Sequence, residues 1–218
     1  MKNTRMKNKQ QGMTLVEIMI ALLLGAFLLA GVMQIFLSTK RTYQMQENMS
    51  RLQENGRFAM EFLNRDIRMA GFRCWPNAAI ATPVAGTDND ADNGNDILDG
   101  TDSITVGMGN LPCPAAGETA IRYRIDDGTS GQPSLFQNIQ ELIEGVEDMQ
   151  ILYGADTNAD NTPDYYVAAG TAGLTMNQVV SIRIFLTVRT LDNNLTTTGD
   201  GRLRRTFSST IAVRNLLP

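Results

Sequence analysis

A single carboxylate, Glu17, opens a run in which Gln34 is the only clearly polar side chain between Ile18 and Leu37. A charged group at bilayer depth costs at least a few kcal/mol, so an acid there needs a partner and marks a functional position. A second group is Asp156, Asn158, Asp160 and Asp164. These place oxygens at loop positions one, three, five and nine, the opening of an EF-hand-like arrangement for a hard cation such as calcium. Asn161 stands where that loop carries glycine, and Val167 where it carries a bidentate glutamate. Backbone carbonyls would have to complete a looser site, and an Asx-rich surface turn accounts for the same residues. Both readings stay open on the sequence alone. Asp88, Asp90, Asp92, Asp96 and Asp99 repeat the spacing, but Asn93 and Asn95 replace the central glycine and the apolar eighth residue. A solvated acidic loop is the better account of that stretch.

Other chemistries are excluded. The 218 residues include no histidine and two cysteines, Cys74 and Cys113, which removes the usual zinc sites and Ser-His or Cys-His catalysis. Carboxylates are plentiful, yet nothing gives a pair the apolar burial and fixed spacing of a glycosidase, and no enzyme activity is expected. Lys2, Arg5, Lys7 and Lys9 precede any acid, so beyond Gly12 fifteen of the 19 basic residues face all 23 acids, a net charge of −8. Such a body argues against nucleic-acid binding as the main task, since phosphate contacts need clustered Lys or Arg. The one basic cluster outside the leader and helix, Arg202, Arg204, Arg205 and Arg214, lacks interleaved aromatics and reads as a solvated strand face.

These groups need elements to hold them. The run from Ile18 to Leu37 is long enough to cross a hydrocarbon core of about 30 Å as a helix, with the basic stretch before it held in the cytoplasm. In a secretory signal the small-residue cleavage site follows the apolar core. Here the order is reversed, with Gly12 in front, so a cut after it removes only the charged leader. On the far side of the membrane the two cysteines read as a structural disulfide, with two buried free thiols as the alternative.

Past the apolar run, Tyr43, Met45, Met49, Leu52, Ala59, Leu63 and Ile67 recur at mostly three- and four-residue intervals, which continues the helix to a stop at Gly71. The heptads are too irregular for a long coiled coil, and Gly56 interrupts them. Gly71 to Asp102 reads as loop. Ser103–Met108, Glu118–Ile125, Val179–Arg189 and the alternation Phe207, Ser209, Ile211, Val213 read as strands, while Leu142–Tyr153 is ambiguous between a short helix and a strand pair. The fold class expected is α+β: a long N-terminal helix, its first half transmembrane, packed on an antiparallel sheet.

Gly12-Met13-Thr14-Leu15-Val16-Glu17, with a basic leader before it and an apolar helix after it, resembles the processing site of type IV pilins and pseudopilins. The resemblance implies that prepilin peptidase cuts between Gly12 and Met13 and N-methylates Met13, and that Glu17 is the assembly acid, meeting the amine of a neighbouring subunit. "FLNRDIRMAGFRCW", "EGVEDMQILYGADTNADNTPDYYV" and "RRTFSSTIAVRN" resemble the PilW-type minor pilins. On that resemblance 1–12 is a cleaved leader, 13–38 a transmembrane and filament-core helix, 39–71 its periplasmic half and 72–218 a β-rich periplasmic head. A single-pass inner-membrane protein that enters a pilus filament is implied. The implied partners are the peptidase, other minor pilins, the major pilin, an inner-membrane assembly platform and a tip adhesin, with no cofactor required and calcium optional. Initiation of assembly near the tip, supporting twitching, adhesion or DNA uptake, is the implied role. A minor pseudopilin of a type II secretion system and a DNA-binding receptor pilin are the alternatives.

Overall fold

No proline interrupts the chain between Met13 and Gly71, and the segment is rich in Leu, Ala, Met, Gln and Glu, all good helix formers. A computed structural model describes residues 12–73, 80–89, 100–109, 118–197 and 199–216. One helix, α1, spans Leu15–Arg68. Contacts divide the chain into two units, Met1–Gln46 and Glu47–Pro218.

In the first unit Thr14 stands just before α1, and its carbonyl and Oγ1 accept the Glu17 N–H at 3.1 and 3.3 Å. The helix is long and apolar enough to cross a membrane. None of its residues through Gln46 is buried within the chain.

In the second unit Leu52, Gly56, Ala59, Met60, Leu63 and Ile67 turn one face of α1 inward at helical spacing. Gly71, at φ +74, ends that helix in the left-handed conformation that glycine adopts without penalty. Its N–H donates to the Gly107 carbonyl at 2.9 Å, fixing the helix end to a strand.

Among the described residues nine strands follow. β1 (Val84–Thr87), β2 (Ser103–Gly109), β3 (Glu118–Asp127), β4 (Pro133–Gln137) and β5 (Gln140–Glu144) form one antiparallel sheet in sequence order. β6 (Val146–Ala155), β7 (Tyr165–Val167), β8 (Val179–Arg189) and β9 (Arg204–Ala212) form a second, ordered β7-β6-β8-β9. Leu63, Ile67, Tyr123, Ile125, Leu135, Met149, Ile151, Ile182, Ile184 and Leu186 make a shared core, and most of it comes from period-two alternation.

Two expectations are corrected. β1 lies inside the stretch read as loop, because a four-residue strand of Val-Ala-Gly-Thr has no alternating pattern of its own and forms on β2. The strands also make two sheets, not one. Leu142–Tyr153 is the junction: it resolves into the end of β5 and most of β6, separated by Gly145 at φ +82. A Cβ at Gly145 would sit 2.7 Å from the Arg189 carbonyl, so the turn between sheets demands glycine.

Candidate functional site

Gly12, Met13 and Glu17 are all exposed, within six residues at the start of α1. A Cβ at Gly12 would meet nothing within 4 Å, so the fold does not require glycine there. Glu17 sits in the first helical turn, where a carboxylate is favoured by the helix dipole, and its side chain has no partner among the described residues. Phe27, Leu28 and Leu29, each 72% exposed, are typical of the apolar surface that follows. An unburied helix of that composition is stable only when lipid or other helices cover it.

The second half of α1 carries a polar anchor missing from the sequence reading. Asp66 is buried on the apolar face between Leu63 and Ile67. Its Oδ2 accepts from the Tyr123 hydroxyl at 2.6 Å and from Gln137 Nε2 at 2.9 Å, and its Oδ1 accepts from Arg65 Nε at 2.7 Å. Burial, then the bond to Asp66, pushes the Tyr123 hydroxyl well above the ordinary tyrosine range. The only local signal was an aspartate at a core position of the helix.

The Asp156 loop is brought together, and its oxygens face its own backbone. Asp156 Oδ1 accepts from the N–H groups of Asn158 and Ala159 at 3.1 and 2.7 Å, and Oδ2 from Asn161 at 2.8 Å. Asp164 Oδ2 takes the Thr157 N–H at 2.8 Å, and Asp160 Oδ1 the Thr162 N–H at 2.8 Å. These bonds hold Asp160 and Asp164 below the usual carboxylate range, the Thr162 and Thr157 hydroxyls being the largest cause in each. Ala159 and Asn161 adopt φ of +62 and +66, the left-handed geometry of tight Asx turns. Among the described residues, no three His, Cys, Asp or Glu side chains converge as a ligand set.

The second acidic stretch is described only at Asp88; Asp90, Asp92, Asp96 and Asp99 lie outside the described residues, as do Cys74 and Cys113. Nearby Asp102 is buried and accepts the Asn89 and Ile151 N–H groups at 2.9 and 2.6 Å, yet desolvation still raises its pKa.

Within the basic cluster, Arg202 and Arg204 are engaged by the head itself. Arg204 donates to Glu147 at 2.6 Å and to Asp200 at 2.7 Å, and Arg189 also bonds Glu147 at 3.0 Å. The hydrogen bond from Arg204 is the largest cause holding the Glu147 carboxyl below its usual range. Arg202 spends its guanidinium on the carbonyls of Thr190 and Leu191. Arg205 lies over the Phe207 ring, 5.5 Å from its centroid.

Two family profiles match the chain. One, described as type IV pilus-assembly protein W, covers residues 121–215, from within β3 past the end of β9. The other, the prokaryotic N-terminal methylation motif, covers residues 7–33 and so includes Gly12, Met13 and Glu17. No curated protein sequence matches. Among solved structures, a type IV-like pilin from Thermus thermophilus aligns over 77% of this chain and 100% of its own, at 14% identity and a TM-score of 0.44. A likeness that distant carries no functional argument.

Proposed function

We propose that this chain, which belongs to the type IV pilin family in its PilW-type branch, works as a minor pilin that helps to initiate pilus assembly at or near the filament tip. The observation that supports the reading is one acid at the head of an apolar helix with no buried residue through Gln46. Such a helix needs lipid first and neighbouring helices afterwards.

Cleavage after Gly12 by prepilin peptidase leaves a positive amine on Met13, which becomes the N-methylated first residue. That amine lies four residues before Glu17, about 6 Å along a helix. Opposite charges attract more strongly in a weakly polar setting than in water, so the Glu17 carboxylate captures the amine of a neighbouring subunit and fixes helix register. In the membrane form the basic leader faces the cytoplasm and residues 72–218 form the periplasmic head. Other minor pilins, the major pilin, the assembly platform and a tip adhesin are the partners of this reading, and twitching, adhesion or DNA uptake its outcome.

Deleting the gene separates this role from its relatives. Loss of surface pili and twitching with exoprotein secretion intact supports it. Loss of secretion with pili intact assigns the chain to a type II secretion pseudopilus instead.

A further inference from the structure

β9 is the outer strand of its sheet, nine residues long. Its register on β8 runs unbroken from Ser181 opposite Ala212 to Arg189 opposite Arg204. Just beyond the two ends, Val213 N–H donates to the Val180 carbonyl and Thr190 N–H to the Leu203 carbonyl, each at 2.9 Å. Hydrogen-bonded and non-bonded pairs alternate along an antiparallel ladder, and both end bonds give the same phase. Phe207, Ser209 and Ile211 therefore direct their backbone groups to β8. Thr206, Ser208 and Thr210 turn theirs outward.

Exposed edges are normally guarded by lysine, proline or a bulge. From Thr206 to Ala212 there is no charge, no proline and no register shift. Beside this edge, between β9 and α1, runs an open groove of about 610 Å³ with Met60 and Phe207 among its apolar lining and Asn64 and Ser209 among its polar lining. Phe207 is seated there because residue 56 is glycine: a Cβ at Gly56 would fall 2.1 Å from Phe207 Cε2. Arg57 and Arg205 also line the groove, against the single acid Glu54. Arg189 and Arg204 are paired with Glu147. Arg57 and Arg205, in contrast, have no carboxylate within ion-pair distance among the described residues and lie over the rings of Phe58 and Phe207, at 5.6 and 5.5 Å.

From this arrangement we infer that β9 and its groove form a docking site for an extended acidic segment of a different protein, which adds to β9 as a strand and sets its carboxylates on Arg57 and Arg205. Strand addition of this kind takes affinity from main-chain hydrogen bonds and specificity from alternate side chains. A second copy of this chain fits less well, since its own β9 carries no acid to set on Arg57 or Arg205. The site lies wholly within residues 47–218 and stands independently of the N-terminal reading.

The test uses the full-length chain in detergent micelles and a fluorescein-labelled peptide of alternating valine and glutamate, matched in length to β9. Saturable binding by anisotropy is expected, lost when lysine replaces the glutamates or when alternate peptide nitrogens are methylated. Arg57→Glu with Arg205→Glu should weaken binding by roughly tenfold or more. Ser208→Pro removes an outward N–H that the β8 ladder does not use, so it should abolish binding with the melting midpoint held. If that variant unfolds, the methylated peptide makes the same test from the other side. Equal binding of the lysine or methylated peptide, or none of the acidic one, overturns the inference. Self-association of the chain through β9 without peptide binding overturns it too, in favour of a second copy.

Discussion

Replacing Tyr123 with phenylalanine removes one hydroxyl from the center of the joint between α1 and the first sheet. The ring stays fully buried, so the hydrophobic contribution is kept and the change isolates the hydrogen bond to Asp66 at 2.6 Å. A hydrogen bond to a charged group is worth about 1.5–3 kcal/mol net. Asp66 keeps Arg65 at 2.7 Å and Gln137 at 2.9 Å, while Gln137 loses Tyr123 as a second acceptor. The remaining bonds soften the loss, which places the cost near 2 kcal/mol. For a unit of this size that lowers the melting midpoint by about 4 to 8 °C. Thermal unfolding of the full-length protein in detergent, followed by near-UV circular dichroism, reads it. Tyr153→Phe is the matched control: that hydroxyl is equally buried but has no hydrogen-bond partner among the described residues. Its removal should be neutral or slightly stabilising. A loss below about 0.5 kcal/mol for Tyr123→Phe, or an equal loss for both variants, refutes the argument that Asp66 anchors the helix end.

Three other outcomes follow from the same chemistry. Glu17→Ala relieves an insertion cost of about 3 kcal/mol, so processing and membrane retention should be intact while incorporation into sheared pili falls; normal incorporation counts against the register role. Burial raises the pKa of both Tyr123 and Tyr153, so stability is undiminished by their ionisation below the unfolded value near 10 and declines as pH rises above it, where the unfolded chain loses the protons first. Urea midpoints should therefore fall from about pH 9 to 11, and the double phenylalanine variant should flatten the slope; an unchanged slope contradicts the assignment. On the cation reading of the Asp156 loop, calcium raises the melting midpoint relative to EGTA and Asp156→Ala removes the difference; identical midpoints retire that reading and leave a hydrogen-bonded Asx turn.

Much of this protein is legible because its signals are contiguous. The apolar run, the missing prolines and Gly71 bound the helix, and the Val180–Val188 alternation delimits β8 at the residues observed. The motif around Gly12 and Glu17 is read from six adjacent letters, and the methylation-motif match falls on them. What was hidden depends on distant pairing. Asp66 meets Tyr123 and Gln137 from 57 and 71 positions away, and Arg204 meets Glu147 across 57, so the ion pairing inside what reads as a solvated strand face has no local signal. The partition into two sheets turns on Gly145, whose positive φ no local pattern announced. Strand β1 forms only because β2 offers an edge.

The N-terminus of the mature polypeptide tests the central claim most directly. Intact-mass and N-terminal peptide analysis of protein purified from membranes should find Met13 first, carrying one added methyl group, with residues 1–12 gone. A first residue elsewhere, or a retained leader, contradicts the account.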